Sequence, residues 1–180
     1  MKVFLTTPIK YHYPSGKWML LPVPEIQLKN IIDELSYGTK ITEYMITDYN
    51  ADIVILHDAI DSYKKASQLN EVAKVIHNLS KHDEDILCAL MECEYHANID
   101  KVKDIIKQLP TWELLGGIDS DDALGKLFAE ANKHNSSITD YSDFGKYIRS
   151  QHTCIYTSMG CLIHKNFLEC FRLLGQEDLV

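Results

Sequence analysis

The sequence is short of most features that announce a chemistry. It holds 18 basic residues against 26 acidic ones in 180, so it lacks the clustered Lys and Arg with which a conventional DNA-binding surface neutralises phosphates. Acidic partners are disfavoured and basic ones allowed. No apolar run approaches the roughly 18 residues needed to cross a bilayer. The N-terminal run Val3-Phe4-Leu5 stops at Thr6, far short of a signal-peptide core. Five cysteines, Cys88, Cys93, Cys154, Cys161 and Cys170, are an odd number and fit reduced thiols better than a disulfide framework. The expected location is the cytoplasm.

Catalytic and ligand motifs are also missing. Gly116-Gly117 lacks the Gly-rich spacing and the Lys-Ser/Thr of a phosphate loop and reads as a helix stop. Asp119, Asp121 and Asp122 lack the twelve-residue calcium loop with its terminal Glu and suit an acidic helix start. His152, Cys154, Cys161 and His164 look superficially like a zinc site. On a hairpin, however, Cys161 and His164 are three apart and point to opposite faces, so structural cysteines are the expectation. A Cys-His nucleophile pair needs a third orienting group, which nothing here specifies. No catalytic centre, metal or cofactor is expected.

What is present is the profile of a folded chain, 46% hydrophobic and 24% charged. Lys2 to Thr6 and Trp18 to Leu21 read as strands joined by a long turn-rich loop. Pro24 opens a helix that Gly38 ends, and Glu43 to Asp48 and Ile53 to Leu56 read as further strands. Three amphipathic helices follow. One starts at Ser67, one comes after Asp83, and one runs from Asn98 to Pro110. Their short connections imply a small bundle. A helix capped by Asp119 or Ser120 carries Leu124, Leu127, Phe128 and Ala131. The segment Asn166 to Leu174 is open to helix or strand. The fold class is α+β: an elongated chain of small domains with an N-terminal α+β domain (residues 1–60), a central helical domain (61–110) and a C-terminal α+β domain (111–180).

The most distinctive stretch runs from Ile138 to His164. Thr139 or Asp140 can cap a helix in which Tyr141, Phe144 and Ile148 recur at helical spacing. A hairpin of Cys154 to Thr157 and Cys161 to His164 follows, turning at Ser158-Met159-Gly160. Asp140, Tyr141, Phe144, Gly145 and Lys146 resemble the C-terminal signature of the ArdA antirestriction proteins, a DY-containing helix followed by a Gly-turn hairpin. Glu43-Tyr44-Met45-Ile46-Thr47-Asp48-Tyr49 is similar to the strand near the end of that family's first domain.

The resemblance implies a small cytoplasmic protein encoded on a mobile element. It also implies no reaction, a homodimer formed through the C-terminal region, and an acidic imitation of B-form DNA that occupies a type I restriction-modification enzyme. Neither membrane nor nucleic acid would be bound directly. Carboxylates three or four residues apart on a helix lie about 5 to 6 Å from one another, a spacing that can echo backbone phosphates. Acids outside the apolar faces are Glu84, Asp85, Glu92, Glu94, Asp119, Asp121, Asp122 and Glu130. Ile155, Tyr156, Leu162 and Ile163 offer a strand edge and an apolar face to a second copy. Two other functions stand beside this one, a generic acidic interaction module and a small cysteine-dependent hydrolase.

Overall fold

The structure, a computed structural model, describes residues 1–6, 16–35, 45–50, 66–94, 98–131, 138 and 140–168. Its strands are β1 (Lys2–Thr6), β2 (Gly16–Leu20), β3 (Met45–Asn50), β4 (Trp112–Gly116), β5 (Cys154–Thr157) and β6 (Gly160–His164). Its helices are α1 (Glu25–Leu35), α2 (Ala66–His77), α3 (Lys81–Glu92), α4 (Ile99–Gln108), α5 (Asp121–Ala131) and α6 (Tyr141–Gln151). Residues 165–168 are also helical. Helices and two three-stranded sheets make this the expected α+β class. The expected strand at Ile53 to Leu56, the cap Thr139 and the tail beyond residue 168 lie outside the described residues.

Two compact units account for the contacts: Met1–Ser80 with Glu94–Asp104, and Lys81–Cys93 with Ile105–Val180. The three helices expected to form a bundle fall on both sides of this division. α2 belongs to the first unit, α3 to the second, and α4 begins in one and ends in the other.

In the first unit β1 lies between β2 and β3, antiparallel to both. Strand alternation sends Val3, Leu5, Met19 and Ile46 to one face, where all are buried. α1 adds Leu28, Ile31 and Leu35 to this core, and α2 adds Leu69, Val72 and Ala73. Burying each Leu or Ile side chain contributes roughly 1.5 to 3 kcal/mol, the main source of stability in so small a unit. Asn70 is buried but satisfied. Its Nδ2 donates to the Val23 carbonyl at 2.8 Å and its Oδ1 accepts from the Val23 N–H at 2.8 Å, which fixes the approach to α1. On the opposite face the Phe4 and Trp18 rings meet at 5.2 Å, with Lys2 Nζ 4.9 Å above Trp18.

In the second unit β6 is central, antiparallel to β4 and β5. One face carries Cys161 and Ile163, packed with Leu124 and Phe128 of α5 and Ile148 of α6. Leu162, pointing the other way, is fully buried too, and α3 packs against β4 and β6. With both faces covered, β6 reads as a continuous apolar run.

The helix starts follow side-chain capping. Asn98 Oδ1 accepts from the Lys101 N–H at 2.9 Å at the head of α4, and Ser120 Oγ from the Ala123 N–H at 3.3 Å at the head of α5. Ser67, expected as a cap, lies inside α2, which begins at Ala66. β4, where only a helix stop was expected, is the third strand of its sheet. Gly117 at φ +76° turns the chain out of it.

Candidate partner-binding surface

The signature residues start α6 and seat it against α5 and the core of the second unit. Asp140 caps α6, its Oδ1 accepting from the Asp143 N–H at 3.0 Å. Phe144 packs onto the core of Leu124, Phe128, Ile148, Cys161 and Ile163. Gly145 marks the place where α5 and α6 cross. A Cβ there would lie 1.8 Å from the Asp121 carbonyl oxygen, and one at Gly125 would lie 1.9 Å from the Tyr141 carbonyl oxygen. Two glycines thus let the helix backbones touch. Lys146 pairs with Asp143 at 2.9 Å, and this hydrogen bond raises the ammonium above its ordinary range.

Of the eight acids picked out for partner binding, seven fall in the second unit, and Glu94 falls in the first. Their roles divide sharply. Glu84 and Asp85 share Lys81, at 3.4 and 3.1 Å, so one cation answers two carboxylates and a net negative charge remains on this stretch of α3. Lys81 is raised by its hydrogen bond to Asp85 and by both charges. Glu94 pairs with Lys101 at 2.9 Å and Glu130 with Lys126 at 4.0 Å. Asp119 and Asp122 are exposed and carry no ion pair among the described residues.

Asp121 and Glu92 are different, because both are engaged within the chain. Asp121 receives Arg149 Nε at 2.8 Å and Nη2 at 3.1 Å in a bidentate pair, together with the Tyr156 hydroxyl at 2.9 Å. The Arg149 hydrogen bonds hold its carboxyl below the usual range, while burial and then the Asp121 bond push the Tyr156 phenol up. This carboxylate ties α5 to α6 and β5. Glu92 accepts from the Ser158 N–H at 2.9 Å and its hydroxyl at 2.7 Å, holding the β5–β6 turn to the end of α3.

The apolar set expected at a dimer interface is largely engaged within the chain. Leu162 and Ile163 are fully buried by the chain's own helices, and Tyr156 is turned inward to Asp121. Ile155, on the edge strand β5, is half-buried.

The four residues that resembled a zinc set are not gathered by the fold. His152 follows α6 and stacks on Phe167 at 3.6 Å, where burial lowers its pKa, and His164 packs edge-on to Trp112 at 5.7 Å. Among the described residues no three His, Cys, Asp or Glu side chains converge on a metal position. Cys154 and Cys161 do share a face of the hairpin.

Sequence reasoning missed Arg149, Gly125 and Glu113. Arg149 lies 28 residues from Asp121, with no local signal joining them. Gly125 carried one, because a glycine inside a helix is unfavourable unless packing requires it. Glu113 on β4 stands 3.0 Å from His82 Nε2 and 3.8 Å from Lys165 Nζ.

Among the described residues no helix is long and apolar enough to cross a membrane. No curated protein matches the chain at a significant level. The family model described as antirestriction protein (ArdA) matches residues 4–161, which take in most of the N-terminal sheet, the signature helix and the turn of the β5–β6 hairpin. With its signature residues capping, filling and closing the α5–α6 crossing, the chain belongs to the ArdA antirestriction family.

Proposed function

We propose that this protein is a DNA mimic that binds a type I restriction-modification enzyme in its DNA groove, excludes the duplex and catalyses no reaction. The observation that carries this is the family match over residues 4–161. Charge supports it. The chain has 26 acidic against 18 basic residues, and Asp119, Asp122 and the under-compensated pair Glu84 and Asp85 leave carboxylates for a Lys- and Arg-lined groove. The protein would act in the cytoplasm as a homodimer and protect incoming mobile DNA. With Leu162 and Ile163 buried, a second copy would meet the β5 edge at Ile155 rather than the hairpin face.

The test is a competition titration of enzyme, labelled duplex and this protein over a range of salt. Mutually exclusive binding that weakens steeply with salt is expected, as for the DNA complex it would replace. A second reading, an acidic interaction module that does not compete for a DNA groove, is favoured by the number of acids already paired with lysines, at Lys101, Lys126 and Lys146. A ternary complex of enzyme, duplex and protein would establish it and sink the mimic.

A further inference from the structure

Cys154 and Cys161 are brought together by the hairpin and have no part in the proposed partner surface. The β5–β6 register sets Cys154 opposite Ile163 and Tyr156 opposite Cys161, so the two cysteines are diagonal neighbours on the face turned to α5 and α6. Both side chains pack with the core of Leu124, Phe128, Ile148 and Ile163, and the Cys161 Sγ donates to the Leu162 carbonyl at 3.6 Å. The guanidinium of Arg149 stands beside them, 5.8 Å from the Tyr156 ring centre and anchored there by its bidentate pair with Asp121. Cys161 is buried, whereas Cys154 is half-buried on a four-residue edge strand.

We propose that Cys154 and Cys161 form a peroxide-sensitive dithiol, with Cys154 the attacking sulfur and Cys161 the resolving one. The surroundings make the two sulfurs unequal. Interaction with the neighbouring Cys161 side chain and the positive charge of Arg149 hold the Cys154 thiol below its ordinary range. The same interaction, together with burial, pushes the Cys161 thiol well up and keeps it protonated.

A hydroperoxide supplies the oxidising equivalents. The Cys154 thiolate attacks the peroxide, an S–O bond forms as the O–O bond breaks, and the departing oxygen takes a proton to leave as water or an alcohol. Cys161 then gives up its proton and attacks the Cys154 sulfur. The S–S bond forms, hydroxide leaves and is protonated to water, and the two thiols have lost two electrons to the peroxide. Diagonal partners stand farther apart than opposed ones, so this bond requires a strand to shift. β5 is the strand that would move, being short and, among the described residues, paired only with β6; the shift must break the Tyr156 and Ser158 hydrogen bonds that tie it to Asp121 and Glu92.

The experiment uses the reduced full chain, hydrogen peroxide, intact mass and peptide mapping, with alkylation by iodoacetamide followed at each cysteine. Expected are loss of two hydrogen atoms, a cross-linked peptide joining Cys154 to Cys161, and alkylation of Cys154 about tenfold faster than of Cys161 or Cys88. In Cys161→Ser, dimedone should trap a sulfenic acid at Cys154, and in Cys154→Ser peroxide should leave Cys161 reduced. Three results overturn the inference on the unsubstituted protein alone: Cys154 staying reduced while Cys93 or Cys88 oxidises, a Cys154 sulfenate that persists beside a reduced Cys161, or a cross-link that appears only in denaturant.

Discussion

The two sheets share one plan, three antiparallel strands with the central strand paired on both sides, yet they are covered differently. In the N-terminal sheet the face of Val3, Leu5 and Met19 is buried, while the opposite face keeps Trp18 and Leu20 at 41% and 68% exposure. In the C-terminal sheet α5 and α6 cover one face and α3 packs against β4 and β6, so Cys161, Leu162 and Ile163 are buried in succession. The polar anchors differ as well. A neutral amide, Asn70, clamps Val23 in the first unit, and a charged network of Asp121, Arg149 and Tyr156 joins three elements of the second. A sheet closed on both faces has little room to adjust, and its helices meet backbone to backbone.

That contrast predicts where a single methyl group does most harm. Gly145→Ala drives a Cβ against the Asp121 carbonyl, and neither helix backbone can give, so a loss of about 3 kcal/mol is expected in chemical denaturation. In the N-terminal sheet Gly16→Ala meets the end of the Phe4 ring, which can swing toward solvent, and the expected cost is about 1 kcal/mol. Equal losses would show that the two sheets are packed with the same tightness.

The anchors separate next, by size and by pH. Asn70→Ala removes both partners of the half-buried Val23 backbone groups and should cost about 2 kcal/mol. That loss should be the same at pH 7 and at pH 3, since nothing in the pair titrates. Tyr156→Phe deletes one hydrogen bond to Asp121 and should cost about 1 kcal/mol. Asp121 has a folded pKa depressed below its ordinary 3.8, so the folded protein binds this proton less readily than the unfolded chain does. Its contribution is present above pH 3.8 and disappears as the pH falls through the lower folded value. Thermal melts of Asp121→Asn and the unsubstituted protein should therefore converge below that pH. A constant gap between them would remove Asp121 from the acid response.

The same contrast explains how far the sequence could be read. β1 and β2 stand out as short β-prone apolar runs, Val3-Phe4-Leu5 and Trp18-Met19-Leu20, and the β5–β6 hairpin announces itself through Gly160, whose φ of +137° suits glycine. Asp140 lies beside the helix it caps, so that signal is local. β4, with Trp112 to Leu115 all half-buried, shows no alternation and could not be told from the end of a helix. The continuous run Cys161-Leu162-Ile163 looked like an apolar face for a second copy because the helices that cover it lie elsewhere in the chain. Asp121 looked like its neighbours Asp119 and Asp122. Only Arg149, in the next helix, distinguishes it, and an acid's partner at that separation leaves no periodic trace.

The smallest effect on folding should belong to the solvent-facing acids, and there the proposed function is most open to refutation. Asp119→Lys and Asp122→Lys alter exposed positions without ion pairs among the described residues, so the first should change stability by less than about 0.5 kcal/mol and the second, in the first turn of α5, by somewhat under about 1 kcal/mol. If these carboxylates stand in for phosphates, each reversal should weaken binding to a type I restriction-modification enzyme by about 1 kcal/mol and flatten its salt dependence. Glu25→Lys makes the same change of net charge in the N-terminal unit, at a carboxylate 89% exposed and only 3.9 Å-paired with Lys74, and serves as the control. Mimicry requires position to matter, so loss at Asp119 and Asp122 should exceed loss at Glu25. Equal losses at all three, on proteins that melt alike, would leave a binding mode governed by net charge alone.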